Sequence, residues 1–204
     1  MSKVIDFYFD YSSPYGFLAS ERIEAIAERC ARRIVWHPIL LGVVFRVTGQ
    51  APLTEAPLKG DYSVHDFARS AREHQVPYQH PQNFPIGAVA ASRATLWLRD
   101  HDDEQLQALT APFIHALYRA YFNQGRDITD NQVIAGIADE LGLDSQAMMQ
   151  ALPLQPIKDA LRTEVEQAIA AGVFGSPMFI VDNEPFWGHD RLEQMERWIT
   201  TGGW

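Results

Sequence analysis

Val4-Ile5-Asp6-Phe7-Tyr8-Phe9-Asp10-Tyr11-Ser12-Ser13-Pro14-Tyr15 is the stretch that decides the fold. Ile5, Phe7 and Phe9 alternate with Asp6 and Tyr8, the two-residue period of a strand with one apolar face. Pro14 then suits the first turn of a helix, and Ser13 suits the N-cap before it. Tyr15, Leu18, Ala19, Ile23, Ile26, Ala27 and Cys30 follow at three- and four-residue steps, so an amphipathic helix continues from the turn. Ile34 to Ile39 reads as a second strand. Strand, helix and strand in so short a unit predict a right-handed crossover and parallel pairing. Ligands of open α/β sheets gather at the carboxyl ends of strands, which is where Ser12 and Ser13 fall. Taken alone, Ser13 is first of all a cap.

The middle of the chain changes character. Leu41 to about Phe84 is rich in Pro and Gly and predicts one helix, Val64 to Gln75. Ala88 to Asp100 reads as helical, and so does Glu104 to Asn123, with a turn or bend expected at Pro112. Asp130 caps a helix that Gly142 ends, and a long helix runs from Pro156 to Ala171. Strand character returns at Met178 to Val181. Asp182-Asn183-Glu184 is a turn, Phe186-Trp187 starts a returning strand, and Asp190 with Glu193 resembles a capping box for a helix over Arg191 to Thr200. The order predicts an α/β protein with helices on a small mixed sheet. Residues 1–40 and 173–204 form its α/β part, and 41–172 form a helical insertion between the second and third strands.

Composition narrows the function. The chain has 204 residues, 47% of them hydrophobic, enough for one core. Its 17 Lys and Arg against 26 Asp and Glu give a net charge of −9, which argues against a nucleic-acid or anionic-membrane surface. Met1 to Asp6 shows no signal-peptide pattern and no stretch approaches a membrane span, so a cytoplasmic protein is expected. Cys30 is the sole cysteine, placed at the end of an inward helix stripe and read as core. It leaves no intrachain disulfide, and without a His-Glu-x-x-His or comparable pair no metal site is expected.

A second motif, Phe174-Gly175-Ser176-Pro177-Met178, lies just before the third strand. Together with the turn at Ser13 it resembles the DsbA-type thioredoxin-like superfamily, in which the first strand-to-helix turn faces a cis-proline loop. Redox members carry Cys-x-x-Cys in that turn; here Ser12 to Tyr15 contains no sulfur, so the protein's own thiol exchange is excluded there. Adding Trp187-Gly188-His189-Asp190-Arg191-Leu192 narrows the resemblance over nearly the whole chain. The sequence resembles the 2-hydroxychromene-2-carboxylate isomerases, bacterial relatives of the kappa-class glutathione transferases.

That resemblance implies glutathione as cofactor, its sulfur at the helix N-terminus beside Ser13, whose hydroxyl donates to the thiolate. It implies that Ser176, before Pro177, meets the cysteinyl backbone, and that His189 and Asp190 stand at the family's Ser/Asn-Asp pair around the γ-glutamyl end. Gln50 lies where the family usually has Asn in Gly-Asn. In the isomerases, thiolate addition opens the chromene ring, a bond rotates, and elimination leaves the trans-benzylidenepyruvate. The aromatic carboxylate substrate needs a cation: Lys59 is the first candidate and Arg46 the second, the family's usual lysine aligning near Phe45. Phe84 is a candidate aromatic wall. The resemblance also implies a homodimer. Two other functions stay open, a kappa-like glutathione transferase or peroxidase and a non-catalytic glutathione-binding module.

Overall fold

The computed structural model describes residues 3–204; the leader reading at Met1 and Ser2 lies outside them. Four strands form one mixed sheet in the order β2-β1-β3-β4. β1 (Val4–Phe9) runs parallel to β2 (Arg33–Pro38) across α1 (Pro14–Arg29), as the opening stretch predicts. β3 (Met178–Val181) is antiparallel to β1, with Tyr8 opposite Met178, and β4 (Glu184–Trp187) closes a hairpin through Asp182 and Asn183, both at positive φ. Among the described residues, every α-helix but the first and the last falls between β2 and β3 in the chain.

The β alternation sorts two cores. Ile5, Phe7 and Phe9 face α1 and α6 (Thr110–Phe122), where Trp36, Phe113 and Tyr118 join them. Tyr8 and Met178 point to the other face, under Leu161 and Val165 of α9 (Gln155–Ala170). Each buried aromatic of the first face contributes about 2 kcal/mol of transfer free energy, so this layer anchors the sheet end that carries the site.

Several elements depart from the sequence expectations. A helix, α2 (Leu41–Thr48), occupies part of the segment read as irregular, followed by a 3₁₀ turn at Leu53–Glu55. The next helix, α3 (Lys59–Glu73), starts five residues before Val64. α4 (Val89–Arg99) agrees with its expected span. The segment from Glu104 is two helices, α5 (Glu104–Gln107) and α6, with the break at Ala108 and Leu109; Pro112 sits in the first turn of α6, where its missing N–H breaks no bond. α7 (Asn131–Glu140) takes its cap from Asp130 as expected, and α8 (Ser145–Ala151) is additional, capped by Asp144. The expected capping box at Asp190 does not form. His189–Arg191 is a 3₁₀ turn leading into α10 (Leu192–Thr201), whose N-cap, Arg191, makes no side-chain cap hydrogen bond. Cys30 is half-buried and packs against the edge of the first core.

Candidate active site

Ser13 sits where β1 ends and α1 begins. Its backbone is extended (φ −91°, ψ 111°), so the chain turns there and the helix follows. Its Oγ accepts from the Gly16 N–H at 3.0 Å, completing the N-cap, and donates to the Ser176 carbonyl at 3.0 Å. Ser176 precedes Pro177 across a cis peptide bond, so the two distant motifs meet at this hydrogen bond. No acidic residue stands in the first turn of α1, and among the described residues no acceptor pairs with the Tyr15 N–H. The end of the helix therefore keeps its partial positive charge and an open donor.

Asp10 ties this turn together. Its peptide N–H donates to Ser176 Oγ at 3.0 Å, and its carbonyl accepts from the Ser13 N–H and from Tyr118 Oη, both at 2.9 Å. Its carboxylate accepts from the Ser12 N–H at 2.7 Å and from the Leu41 N–H at 2.6 Å. Burial pushes the Asp10 pKa up, and those two N–H donors oppose the rise.

A cleft of about 1210 Å³ opens over Ser13. Gln50, Lys59, Phe84, Ser176, Pro177, His189 and Asp190 all line it. The structure thus brings every sequence-predicted site residue to one cavity. Their settings differ. Lys59, Gln50 and Asp190 are exposed, Phe84 is half-buried, and His189 is only 8% exposed. His189 lies flat on the Tyr15 ring, 4.8 Å between centroids and 10° between planes. Its Nδ1 is buried without a hydrogen-bond partner among the described residues, and burial holds its pKa down, favouring the neutral ring. Tyr15 Oη donates to Asp66 Oδ2 at 2.5 Å, which together with burial pushes the phenol pKa up.

The cations of the cleft fall into two groups. Arg69 is paired with Asp66, and Arg191 lies 3.7 Å from Asp190. Arg46 and Lys59 make no ion pair among the described residues. Phe45, Phe84 and Leu41 add apolar surface to the lining of the same cleft. Sequence reasoning missed the roles of Asp10 and Asp66. Asp10 stood inside the quoted motif, where Asp-x-x-Ser at a strand end is a usable signal; Asp66, inside an ordinary helical stretch, had none.

A family model described as the DSBA-like thioredoxin domain matches residues 4–200. Across 201 residues the chain is 31% identical to the 2-hydroxychromene-2-carboxylate isomerase of Sphingobium xenophagum, covering 98% of this chain and 99% of that protein. The chain belongs to the 2-hydroxychromene-2-carboxylate isomerase family, within the DSBA-like thioredoxin domains. The chain is also similar to glutathione S-transferase kappa 1 of Rattus norvegicus, 24% identical over 214 residues, covering 97% of this chain and 93% of that one. The fold of the family is confirmed by a solved 2-hydroxychromene-2-carboxylate isomerase, which superposes with a TM-score of 0.86 at 24% identity over 97% of this chain and 95% of the other.

Proposed function

We propose that this protein is a glutathione-dependent cis–trans isomerase of 2-hydroxychromene-2-carboxylate or a related aromatic 2-oxo acid. The observation that carries the reading is a hydroxyl where redox relatives place sulfur: Ser13 Oγ, at an open helix N-terminus, hydrogen-bonded across the cleft to the residue before Pro177. Glutathione fits this place, because the open Tyr15 N–H, the helix end and the Ser176 backbone together favour an anionic thiol beside a peptide strand. When bound, it supplies a nucleophile that adds to the substrate and is released unchanged.

The protein's own groups do the rest. Ser13 holds the thiolate by turning its one proton from the Ser176 carbonyl to the sulfur. The Ser176 carbonyl, freed of that bond, receives an amide of the tripeptide. Asp190 and Gln50 are both exposed and both line the cleft, where Asp190 would meet the ammonium of the γ-glutamyl end and Gln50 would offer an amide. The stacked rings of His189 and Tyr15 add a flat aromatic surface to the cleft. Arg46 and Lys59, with no carboxylate of their own, receive the carboxylate of the substrate, and Phe84 and Phe45 flank its ring.

Replacing Ser13 by Ala tests this directly. Turnover at saturating glutathione should fall roughly 10²-fold, the scale of one lost donor to a developing or held anion. Stability should fall by only about 1 kcal/mol, the cost of the cap. Wild-type turnover in Ser13→Ala would rule the mechanism out. The kappa relatives support a second reading, transfer of glutathione to an electrophile. Net consumption of glutathione with a chlorinated aromatic, and none during isomerisation, separates the two.

A further inference from the structure

α2 is a poor helix by its own sequence. It has eight residues, Leu-Gly-Val-Val-Phe-Arg-Val-Thr, with four β-branched side chains and a glycine, and only Val44 is buried. A helix of this length does not sustain itself in water. Its N-cap, Leu40, has no side chain able to cap, and none does. The missing cap comes from 31 positions earlier: Asp10 Oδ2 accepts from the Leu41 N–H at 2.6 Å. The other oxygen of that carboxylate accepts from Ser12 at 2.7 Å, in the thiol turn itself. α2 in turn carries Phe45 and Arg46 along the cleft.

We propose that Asp10 is a positioning residue that couples the substrate wall to the thiol turn. One buried carboxylate grips the start of α2 with one oxygen and the Ser12–Ser13 turn with the other. The distance from Phe45 and Arg46 to the sulfur position is then set by a single rigid group. Charge-assisted bonds of this length are about twice as strong as neutral ones, and the buried carboxylate has no water to take their place. The roles given to Phe45 and Arg46 rest on the isomerase reading; the mechanical coupling does not.

The two ends can be cut separately. Leu41→Pro removes only the N–H from the backbone: proline is favoured at the first helical position, and Leu40 is already extended (φ −117°, ψ 101°), as a residue before proline must be. Leu41→Ala trims the side chain and keeps the donor. In Leu41→Pro the glutathione Kd by calorimetry should stay within about twofold of wild type, since Ser12 and Ser13 keep their bonds to Asp10. The KM for the aromatic substrate should rise about tenfold, the scale of one charge-assisted hydrogen bond, and well beyond the rise in Leu41→Ala. Asp10→Asn, whose single carbonyl oxygen can serve only one of the two donors, should weaken both constants. Hydrogen exchange should quicken in residues 44–48 in both Leu41→Pro and Asp10→Asn, with α1 unchanged in Leu41→Pro. Equal loss of both constants in Leu41→Pro, or equal KM in the Pro and Ala variants, would overturn the coupling. If wild-type protein fails to bind glutathione, the functional reading fails instead. The exchange data alone then decide the tether, and unaltered exchange in α2 refutes it.

Discussion

The sheet carries two polar clusters, and they are built in opposite ways. On the face under α9, His37 sits between Asp6 (3.1 Å from Nε2) and Glu164 (2.5 Å from Nδ1), stacked on the Tyr8 ring at 4.5 Å. Arg99 donates to both Glu164 oxygens at 2.9 Å and to the Trp36 carbonyl at 2.9 Å. Every charge in that cluster faces its opposite. At the cleft end the arrangement is incomplete: the Tyr15 N–H and His189 Nδ1 are open, and Arg46 and Lys59 make no ion pair, among the described residues. Buried polar groups in folded chains are mostly paired, and of the buried unpaired side-chain atoms among the described residues His189 Nδ1 is the one that lines the cleft. The closed cluster therefore reads as structure, and the open one as a place kept for a ligand.

The closed cluster gives the largest effect on stability. Glu164→Gln leaves the His37 and Arg99 charges without their shared carboxylate, and breaking such a half-buried network should cost about 3 kcal/mol in urea denaturation. Turnover of the folded protein should not change. The pH dependence has a definite sign. Burial works against ionisation of Glu164, but hydrogen bonds from His37 and Arg99 pull its pKa down to about 2. Its contribution is present above the ordinary value of 4.5 and is lost as pH falls toward 2. Burial likewise works against charging His37, and Asp6 and Glu164 outweigh it, so its pKa is raised above 6.5. That contribution is present below 6.5 and is lost as pH climbs through the raised value. The gap between wild type and variant should thus be widest at about pH 5 to 6 and narrow on either side. A variant with intact stability and lost turnover would erase the distinction between the two clusters.

Gly16 sharpens the comparison from the other side, because there the cleft end is tightly packed. A Cβ at Gly16 would stand 2.7 Å from Tyr118 Oη and 3.1 Å from Ser176 Oγ. Both atoms bond to Asp10, and Tyr118 is fully buried and cannot swing away. Gly16→Ala gains about 1 kcal/mol of helix propensity and loses more to overpacking, for a net loss of about 1 to 2 kcal/mol. Because the methyl pushes Ser176 from Ser13, turnover should fall by more than stability accounts for. A more stable, fully active Gly16→Ala would show that the knot around Asp10 is looser than its distances imply.

These two regions also differ in how far the sequence exposed them. β1, the Ser13 cap and the start of α1 were legible because each rests on neighbours: alternation within six residues, a hydroxyl before a proline. α2 was not legible because its cap, Asp10, is local only in space, and because Val47, 64% exposed, contributes no apolar stripe. The start of α3 was hidden for a related reason. Leu58 stands before it at φ 65° and 93% exposed, so no periodicity announces Lys59. At the site, the motif residues could be named from the chain, whereas Asp66 under Tyr15 and Arg22 under His189 are brought in by packing between helices and leave no trace in spacing.

The smallest effects belong to the open cations, and their signature is salt. Lys59 is exposed and Arg46 is exposed, so each alone should contribute under about 1 kcal/mol to holding a substrate carboxylate. Lys59→Ala and Arg46→Ala should each raise KM severalfold with kcat nearly unchanged, since the carboxylate is held alike before and during the reaction. Charges in water lose most of their reach beyond about 10 Å at 0.1 M salt. Wild-type KM should therefore rise with ionic strength, and the two variants should converge on it at high salt. Arg69→Ala, which keeps both open cations and removes only an arginine already paired with Asp66, should retain the wild-type salt slope, steeper than that of either variant. If Arg69→Ala instead shows the flattest salt slope, the carboxylate is read by the paired arginine, and a satisfied group at the cleft end is not thereby out of the reaction.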